Sequence, residues 1–467
     1  MSLVLTGFSA TATAQDGTKA DVDAVKEIIK NKPADLDKQL KAYVSKNKKN
    51  AENLVAFGRA FYVAKDTVRA AEMANKALAA TKNSYSPAYV LLGDITAQGE
   101  DGGRAAQFYE QAIIFDKTNP EAYKKYAMVY RKVSPEGAVA KLEELRTVIP
   151  DYPVDAFIGH ILYDSHKYVE AMDAYDKVPV DKLERIDCIE YGFAGWVSQK
   201  YDRALKILVK GLEKEPNNAS LNRLAMFCNT EAKQYEQALQ YANVLFNKVS
   251  KDSLSYLDYT YHGNALLGAK KHQEAIDMYK QALDQEFDSK DKRAGVVKQL
   301  ADAYKGIEDY ENALKLYDQY LSEVSAPALN DFADLGRLYV QYASKLEGDA
   351  KTENLQKADK VYADLAVKNP DAKEYSLFWR GRVGTMLDPD ATQGIAQPYY
   401  EQLWDIIVAK PELDKADTAR LKEAGNFLMA YYLKIKDDLE NSKRFAMKVL
   451  EIDPTNETAT QIAGIGE

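Results

Sequence analysis

The sequence predicts an all-α fold built from helix–turn–helix repeats, and three observations carry the prediction. Small residues recur at fixed offsets: Ala105 and Ala112 follow Gly93 by 12 and 19 residues. A bulky residue, such as Tyr109, stands four positions after the second small residue. Prolines, which lack the N–H that a helix interior needs, close several of the repeats. Two antiparallel helices that cross at small residues account for this spacing.

The repeats extend over almost the whole chain. Their first small residue falls at positions 58, 93, 127, 159, 192, 225, 263, 301, 336, 381 and 430, which gives about eleven repeats. Residues 51–322 form a regular array, and residues 323–455 form a divergent array with insertions at 346–356 and 386–394. If the array has a break, we expect it at 322–328 or 343–356.

The pattern resembles the tetratricopeptide repeat, whose unit is 34 residues long. The residues that carry the resemblance are Tyr89, Leu92, Gly93, Ala105, Tyr109 and Ala112, and again Gly263, Ala275, Ile276, Tyr279, Ala282 and Leu283. The resemblance implies a right-handed superhelical solenoid in which the first helices of successive repeats line a concave groove. It also implies a scaffold that binds proteins or peptides.

Both ends of the array differ from the repeats. Residues 21–50 predict N-terminal capping helices, and residues 456–467 predict a C-terminal cap, because an end repeat has no neighbour to cover its outer face. Segment 26–50 carries eight Lys against Glu27, Asp35 and Asp37, a net charge of +5. It predicts either a solvated helical cap or a contact with an anionic partner.

Residues 1–14 predict a signal peptide, truncated at its start. A short apolar run ends in Ala12-Thr13-Ala14, which fits the small-residue pattern of a signal peptidase site, although no basic residue precedes Lys19. The prediction is therefore a periplasmic or otherwise exported protein of a Gram-negative envelope. The alternative is a cytoplasmic protein, if the stretch is not a signal.

The composition argues against several classes of function. The net charge is −9, whereas a general nucleic-acid-binding protein needs a clustered basic face. The sequence contains no phosphate-binding loop, no nucleophile elbow and no His-Glu-x-x-His motif. Four His and two separated Cys offer no metal-ligand spacing, so we expect no enzyme activity, cofactor or metal. Tyrosine is abundant, with 32 residues.

The resemblance places candidate binding residues on the first helices, near each small position. They are Arg59, Tyr62, Lys124, Lys125, Arg131, Phe157, His160, Tyr163, Phe193, Trp196, Asn222, Arg223, Tyr261, Asn264, Lys298 and Arg337, with Trp379 and Arg382 further along. Aromatic rings bury area with little loss of rotamer freedom, and cations pair with acidic groups of a peptide. The alternative is that these residues only pack adjacent first helices together.

These observations predict a non-catalytic scaffold of the cell envelope that binds a protein or peptide through its groove. The alternative function is a glycan-binding or nutrient-uptake accessory protein of the outer membrane. The sequence names no partner and leaves the oligomeric state open.

Overall fold

A computed structural model describes the backbone of residues 8–465 and the side chains of residues 19–465, and within them it shows 25 α-helices and no strand. Residues 1–7, half of the predicted signal peptide, lie outside the described residues. The chain divides into two compact units, one ending at Lys248 and one beginning at Val249. The predicted all-helical repeat architecture is confirmed.

The N-terminal unit holds two leading helices and six helix pairs. Its helices are α1 (Phe8–Asn31), α2 (Leu36–Lys46), α3 (Ala51–Val63), α4 (Thr67–Ala80), α5 (Ser86–Gln98), α6 (Gly102–Phe115), α7 (Pro120–Tyr130), α8 (Pro135–Val148), α9 (Asp155–Asp164), α10 (Tyr168–Tyr175), α11 (Arg185–Val197), α12 (Tyr201–Lys214), α13 (Ala219–Glu231) and α14 (Tyr235–Lys248). Each pair from α3–α4 to α13–α14 is one repeat, and its two helices pack on each other.

The C-terminal unit holds five further pairs and a closing helix. Its helices are α15 (Tyr256–Gly268), α16 (His272–Leu283), α17 (Lys290–Gly306), α18 (Tyr310–Glu323), α19 (Leu329–Ala343), α20 (Gly348–Lys368), α21 (Lys373–Leu387), α22 (Gln397–Val408), α23 (Lys415–Lys434), α24 (Leu439–Ile452) and α25 (Glu457–Ala463). The pairs in the two units agree with the predicted number of repeats.

A glycine on the first helix faces a tyrosine on the second helix in five repeats. The pairs are Gly93 with Tyr109, Gly159 with Tyr175, Gly263 with Tyr279, Gly336 with Tyr362 and Gly381 with Tyr400. A Cβ atom on any of these glycines would lie 2.4 to 2.8 Å from the nearest ring atom, well inside van der Waals contact. The five rings are at most 2% exposed. Much of the tyrosine excess is therefore one packing contact repeated along the chain.

The turn inside the repeat is also conserved in conformation. One non-glycine residue in the left-handed region connects the two helices in seven repeats: Lys65, Glu100, His166, Gln199, Lys233, Lys270 and Glu308, with φ between 57° and 66°. Asp66, Asp101 and Asp309 follow three of these residues, and each accepts a hydrogen bond from the third N–H of the next helix. This N-cap satisfies one of the free donors at the start of the helix.

The two predicted insertions take different forms. Residues 348–356 do not form a loop but add turns to the start of α20. Residues 388–396 form a loop around the buried Asp388 carboxylate, which accepts backbone hydrogen bonds from Gln393 and Gly394 at 2.9 and 2.8 Å. The division between the two units falls after Lys248, not at the segments where the sequence favoured a break.

Leading helices α1 and α2 are tied to the first repeat through buried polar groups. Asp21 on α1 accepts hydrogen bonds from Lys46 and Asn47, at 2.7 and 3.0 Å. The amide of Asn53 on α3 donates to Asn47 at 2.7 Å. The hydrogen bonds that link Asp21, Asn47 and Asn53 offset the free-energy cost of burying these polar side chains. In the described part of the chain, no helix has both the length and the apolar character needed to cross a bilayer.

The glycine–tyrosine contact predicts opposite effects for two glycine substitutions in the C-terminal unit. Gly263→Ala should lower the free energy of unfolding by about 1–3 kcal/mol, because the added methyl would lie 2.6 Å from the Tyr279 ring. Gly295→Ala, where a Cβ meets nothing within 4 Å, should raise it by about 0.5–1 kcal/mol through helix propensity. Urea unfolding followed by circular dichroism measures both. Equal effects of the two substitutions would contradict the proposed role of the contact.

Candidate functional site

First helices of successive repeats contact each other in the N-terminal unit, from α3 with α5 to α11 with α13. We call the side that these helices α3, α5, α7, α9, α11 and α13 present together the first-helix face. Eleven of the sixteen predicted site residues lie on these helices, and Arg131 directly follows α7. The other four, Tyr261, Asn264, Lys298 and Arg337, lie on α15, α17 and α19 of the C-terminal unit.

Predicted cations Arg59 and Lys125 converge on one buried carboxylate, that of Asp94 on α5. Asp94 is 6% exposed and lies 2.8 Å from the Nζ of Lys125 and 3.9 Å from Arg59. It also accepts a hydrogen bond from the hydroxyl of Tyr109 at 2.8 Å. One carboxylate therefore connects three successive repeats. Further along the face, the Nε of Arg131, the residue that caps the end of α7, donates to Asp164 on α9 at 2.8 Å.

His160 on α9 is held by the buried carboxylate of Glu190 on α11. The Nδ1 of His160 lies 2.8 Å from one Glu190 oxygen, and the Tyr175 hydroxyl donates to the other at 2.5 Å. The hydrogen bond to Glu190 raises the pKa of His160, whereas partial burial and Arg131 act in the opposite direction. Asp164 lies 3.7 Å from the Nε2 of the same ring and adds to the rise.

A row of aromatic rings runs along the first-helix face from α9 to α13. Its ring centroids are separated by 5.9 Å between Tyr163 and Phe193, 5.7 Å between Phe193 and Trp196, and 5.4 Å between Trp196 and Phe227. Burial raises the pKa of Tyr163 to about 12. These rings join neighbouring first helices, and Tyr163, Phe193 and Trp196 remain partly accessible.

Two predicted asparagines serve the fold. Asn222 is 2% exposed, and its amide donates to the carbonyls of Pro216 and Asn218 at 3.0 and 2.9 Å. Asn264 accepts the hydroxyl of Tyr279 at 2.8 Å. Three other predicted residues, Tyr62, Arg223 and Tyr261, are partly buried on α3, α13 and α15.

Lys298 and Arg337 in the C-terminal unit are paired as well. The Nζ of Lys298 lies 2.5 Å from the buried carboxylate of Asp331, which also accepts the hydroxyl of Tyr320. Although burial opposes it, these hydrogen bonds lower the pKa of Asp331. Arg337 pairs with Asp334 and donates to the Tyr375 hydroxyl at 2.9 Å. Lys125, Arg131, Lys298 and Arg337 thus each have an acidic partner nearby.

A cleft of about 860 Å³ opens at α9 and α11. Lys124, Phe157 and His160, three of the predicted residues, line it together. The Nζ of Lys124 lies 5.5 Å from the centre of the Phe157 ring, a cation–π distance. The other walls are Tyr152, Pro153, Ala156, Val178, Pro179, Lys182, Glu184, Ile186 and Asp187. We call this the repeat-four cleft, after the repeat formed by α9 and α10.

The sequence reasoning missed the acidic partners, above all Asp94 and Glu190, and the segment of residues 178–184 before α11. The sequence does contain a signal for the acidic partners. His160 and Glu190 are 30 residues apart, and Arg131 and Asp164 are 33 apart, which is close to the length of one repeat. A cation and an acid one repeat apart lie on adjacent first helices. The loop residues carry no repeat signal, since they fall between repeats.

No described cluster of His, Cys, Asp or Glu could hold a metal ion. Cys188 and Cys228 are unbonded and buried, and burial raises the pKa of both thiols.

The fold and the face define a helical-repeat protein, and one of its repeats is recognised as a tetratricopeptide repeat. The family model of the tetratricopeptide repeat matches residues 425–456, which span the end of α23 and all of α24. The predicted resemblance is confirmed. No curated protein matches the chain.

Several solved structures resemble parts of the chain. The C-terminal part of a tetratricopeptide-repeat protein from Cytophaga hutchinsonii is 22% identical, with 59% of this chain and 98% of that chain covered and a TM-score of 0.49. A tetratricopeptide-repeat protein from Parabacteroides merdae is 16% identical, with 54% and 97% covered and a TM-score of 0.35. PilW, a type IV pilus biogenesis factor, is 19% identical, with 42% and 91% covered and a TM-score of 0.34. Similarity at these sequence identities and TM-scores concerns the fold and not the function.

The hydrogen bonds of the tyrosine hydroxyls predict different costs for two Tyr→Phe substitutions. Tyr175→Phe should lower the free energy of unfolding by about 1.5–3 kcal/mol, because buried Glu190 loses a donor. Tyr362→Phe, whose hydroxyl is buried without a hydrogen-bond partner, should change it by less than about 0.5 kcal/mol or raise it. Urea unfolding measures both. A cost for Tyr362→Phe as large as that for Tyr175→Phe would contradict the assignment.

The pairing of His160 with Glu190 predicts a pH-dependent contribution to stability. Because the pKa of His160 is raised in the folded chain, this contribution is complete below the unfolded value of about 6.5 and is lost as the pH rises through the folded value. The difference in unfolding midpoint between the wild type and His160→Gln should therefore shrink between about pH 6 and pH 8. Glu190→Gln should lower the pKa of His160, measured by NMR. A difference that does not vary with pH would contradict the pairing.

Proposed function

We propose that the chain is a non-catalytic scaffold that binds a partner polypeptide along the first-helix face of its N-terminal unit. The repeat-four cleft is the observation that carries the proposal. A cleft of about 860 Å³ exceeds what one side chain fills and suits a short peptide segment. Its walls come from first helices and from the loop before α11, so a bound segment would contact successive repeats.

The lining of the cleft indicates the chemistry of the partner. Pro153, Phe157, Pro179 and Ile186 supply an apolar surface, and Ile186 is 52% exposed. Lys124, Lys182, Glu184 and Asp187 supply charges of both signs. An apolar surface with mixed polar groups fits a segment that inserts an aliphatic or aromatic side chain and pairs its polar neighbours at the rim. The accessible rings of Tyr163, Phe193 and Trp196 would extend the contact toward α13.

We also propose that this scaffold works in the cell envelope. The support is the apolar run of residues 3–14 with its small-residue site. A scaffold there would hold a partner by surface complementarity, without chemistry of its own.

A pair of matched double variants tests the proposed site. Lys124→Glu/Ile186→Glu places two acids in the cleft and should reduce partner capture about tenfold or more, because it removes an apolar contact and reverses a charge. Affinity capture from envelope and cytosolic fractions, quantified by mass spectrometry, measures the effect. A polypeptide enriched from the envelope fraction alone supports the location.

Lys132→Glu/Val133→Glu is the control, since both residues are exposed, lie on the turn after α7 and receive the same substitutions. It should capture the partner as the wild type does. Equal capture by the wild type and by both variants would reject the cleft as the site. A soluble glycan that raises the melting temperature, with no polypeptide captured, would favour the glycan-binding alternative.

A further inference from the structure

The N-terminal unit contains a second cleft, of about 470 Å³, between α1 and α3. Its floor is aliphatic and is made by Ile29, Ala56, Ala60, Val63 and Ala64. Its rim consists of four cations: Lys26, Lys30 and Lys32 on one side and Arg59 on the other. No carboxylate among the described side chains lines it, which distinguishes it from the repeat-four cleft with Glu184 and Asp187. We call it the cationic cleft.

The rim cations are only weakly engaged. Lys26 lies 3.4 Å from Asp23, and Lys30 lies 3.9 Å from Glu27, each within its own helix and exposed. Exposed pairs of this kind contribute at most about 1 kcal/mol. Arg59 lies 3.9 Å from Asp94, a carboxylate that has a closer cation in Lys125 at 2.8 Å. The rim therefore keeps a net positive charge, because its four cations are set against Asp23, Glu27 and an Asp94 that also pairs with Lys125, although the whole chain has a net charge of −9.

Exposed aliphatic surface lies directly beside this charge. Val63 is 78% exposed, although it continues the helical stripe of Ala56 and Ala60. An aliphatic side chain of that exposure next to a concave floor gains free energy when an apolar group covers it, at about 25 cal/mol per Å². The cleft thus combines an apolar anchor point with four surrounding positive charges.

We propose that the cationic cleft binds an acidic amphipathic segment of a partner polypeptide, with an aliphatic side chain on the floor and carboxylates at the rim. Charge complementarity selects the acidic residues, and the floor selects the aliphatic ones. The cations on α1, at Lys32 just after it and on α3 line the same concavity, so they converge on a narrow ligand. A membrane surface would instead meet cations that project together from a convex side.

The test uses a fluorescein-labelled, acetylated and amidated helical peptide with Leu on one face and Glu flanking it. It should bind the full chain, and Lys26→Gln/Lys30→Gln should weaken binding about tenfold, the sum of two lost charge contacts. Val63→Glu should weaken binding by a similar factor, because it places an acid on the floor. Fluorescence anisotropy at two salt concentrations measures the dissociation constants, and binding should weaken at higher salt.

Lys48→Gln/Lys49→Gln is the matched control, because these exposed lysines belong to the same basic segment but lie outside the cleft. It should bind the peptide within about twofold of the wild type. A peptide with Lys in place of Glu should not bind. Equal losses in the two lysine pairs would overturn the proposal, as would binding only to phosphatidylglycerol vesicles. Circular dichroism confirms that each variant is folded.

Discussion

The close approach of the two helices within a repeat is the contact on which the remaining structure depends. Where Gly93 or Gly159 lies under a tyrosine ring, the backbone comes as near as the ring thickness allows, and the ring fills the space between the helices. The same rings then reach polar groups beyond the core. The hydroxyl of Tyr109 meets Asp94, and that of Tyr175 meets Glu190. The packing contact therefore also positions the carboxylates that organise the first-helix face.

The sequence predicted this architecture because its signal is local and repeated. Offsets such as that from Gly93 to Tyr109 follow from helix geometry and need no knowledge of distant parts of the chain. The helical structure of residues 348–356 was not predicted from the sequence, since a polar stretch with one glycine predicts an interruption of the helix. These residues nevertheless extend α20, which begins at Gly348, a residue with φ of +57° that glycine adopts without strain.

The candidate site was predicted only in part. Lys124, Phe157 and His160 do come together, because positions at equal depth on successive first helices are neighbours. The acids that neutralise the cations were not recognised, since abundant carboxylates on helical surfaces give no signal singly. The walls supplied by Val178 and Pro179 come from a connection between repeats, whose conformation depends on tertiary packing and not on periodicity. The two clefts also differ in charge, although both involve first helices of the same unit.

Local neutralisation of the face has a thermodynamic consequence for recognition. A carboxylate arriving at Arg131 or Lys125 finds Asp164 or Asp94 already in place, so it enters by exchanging one ion pair for another. This exchange of ion pairs releases few counterions and few bound water molecules. The free energy gained on complex formation must then come from shape complementarity and apolar contact. Such a surface discriminates among partners by their contour, and it retains that discrimination when the ionic strength of its surroundings changes.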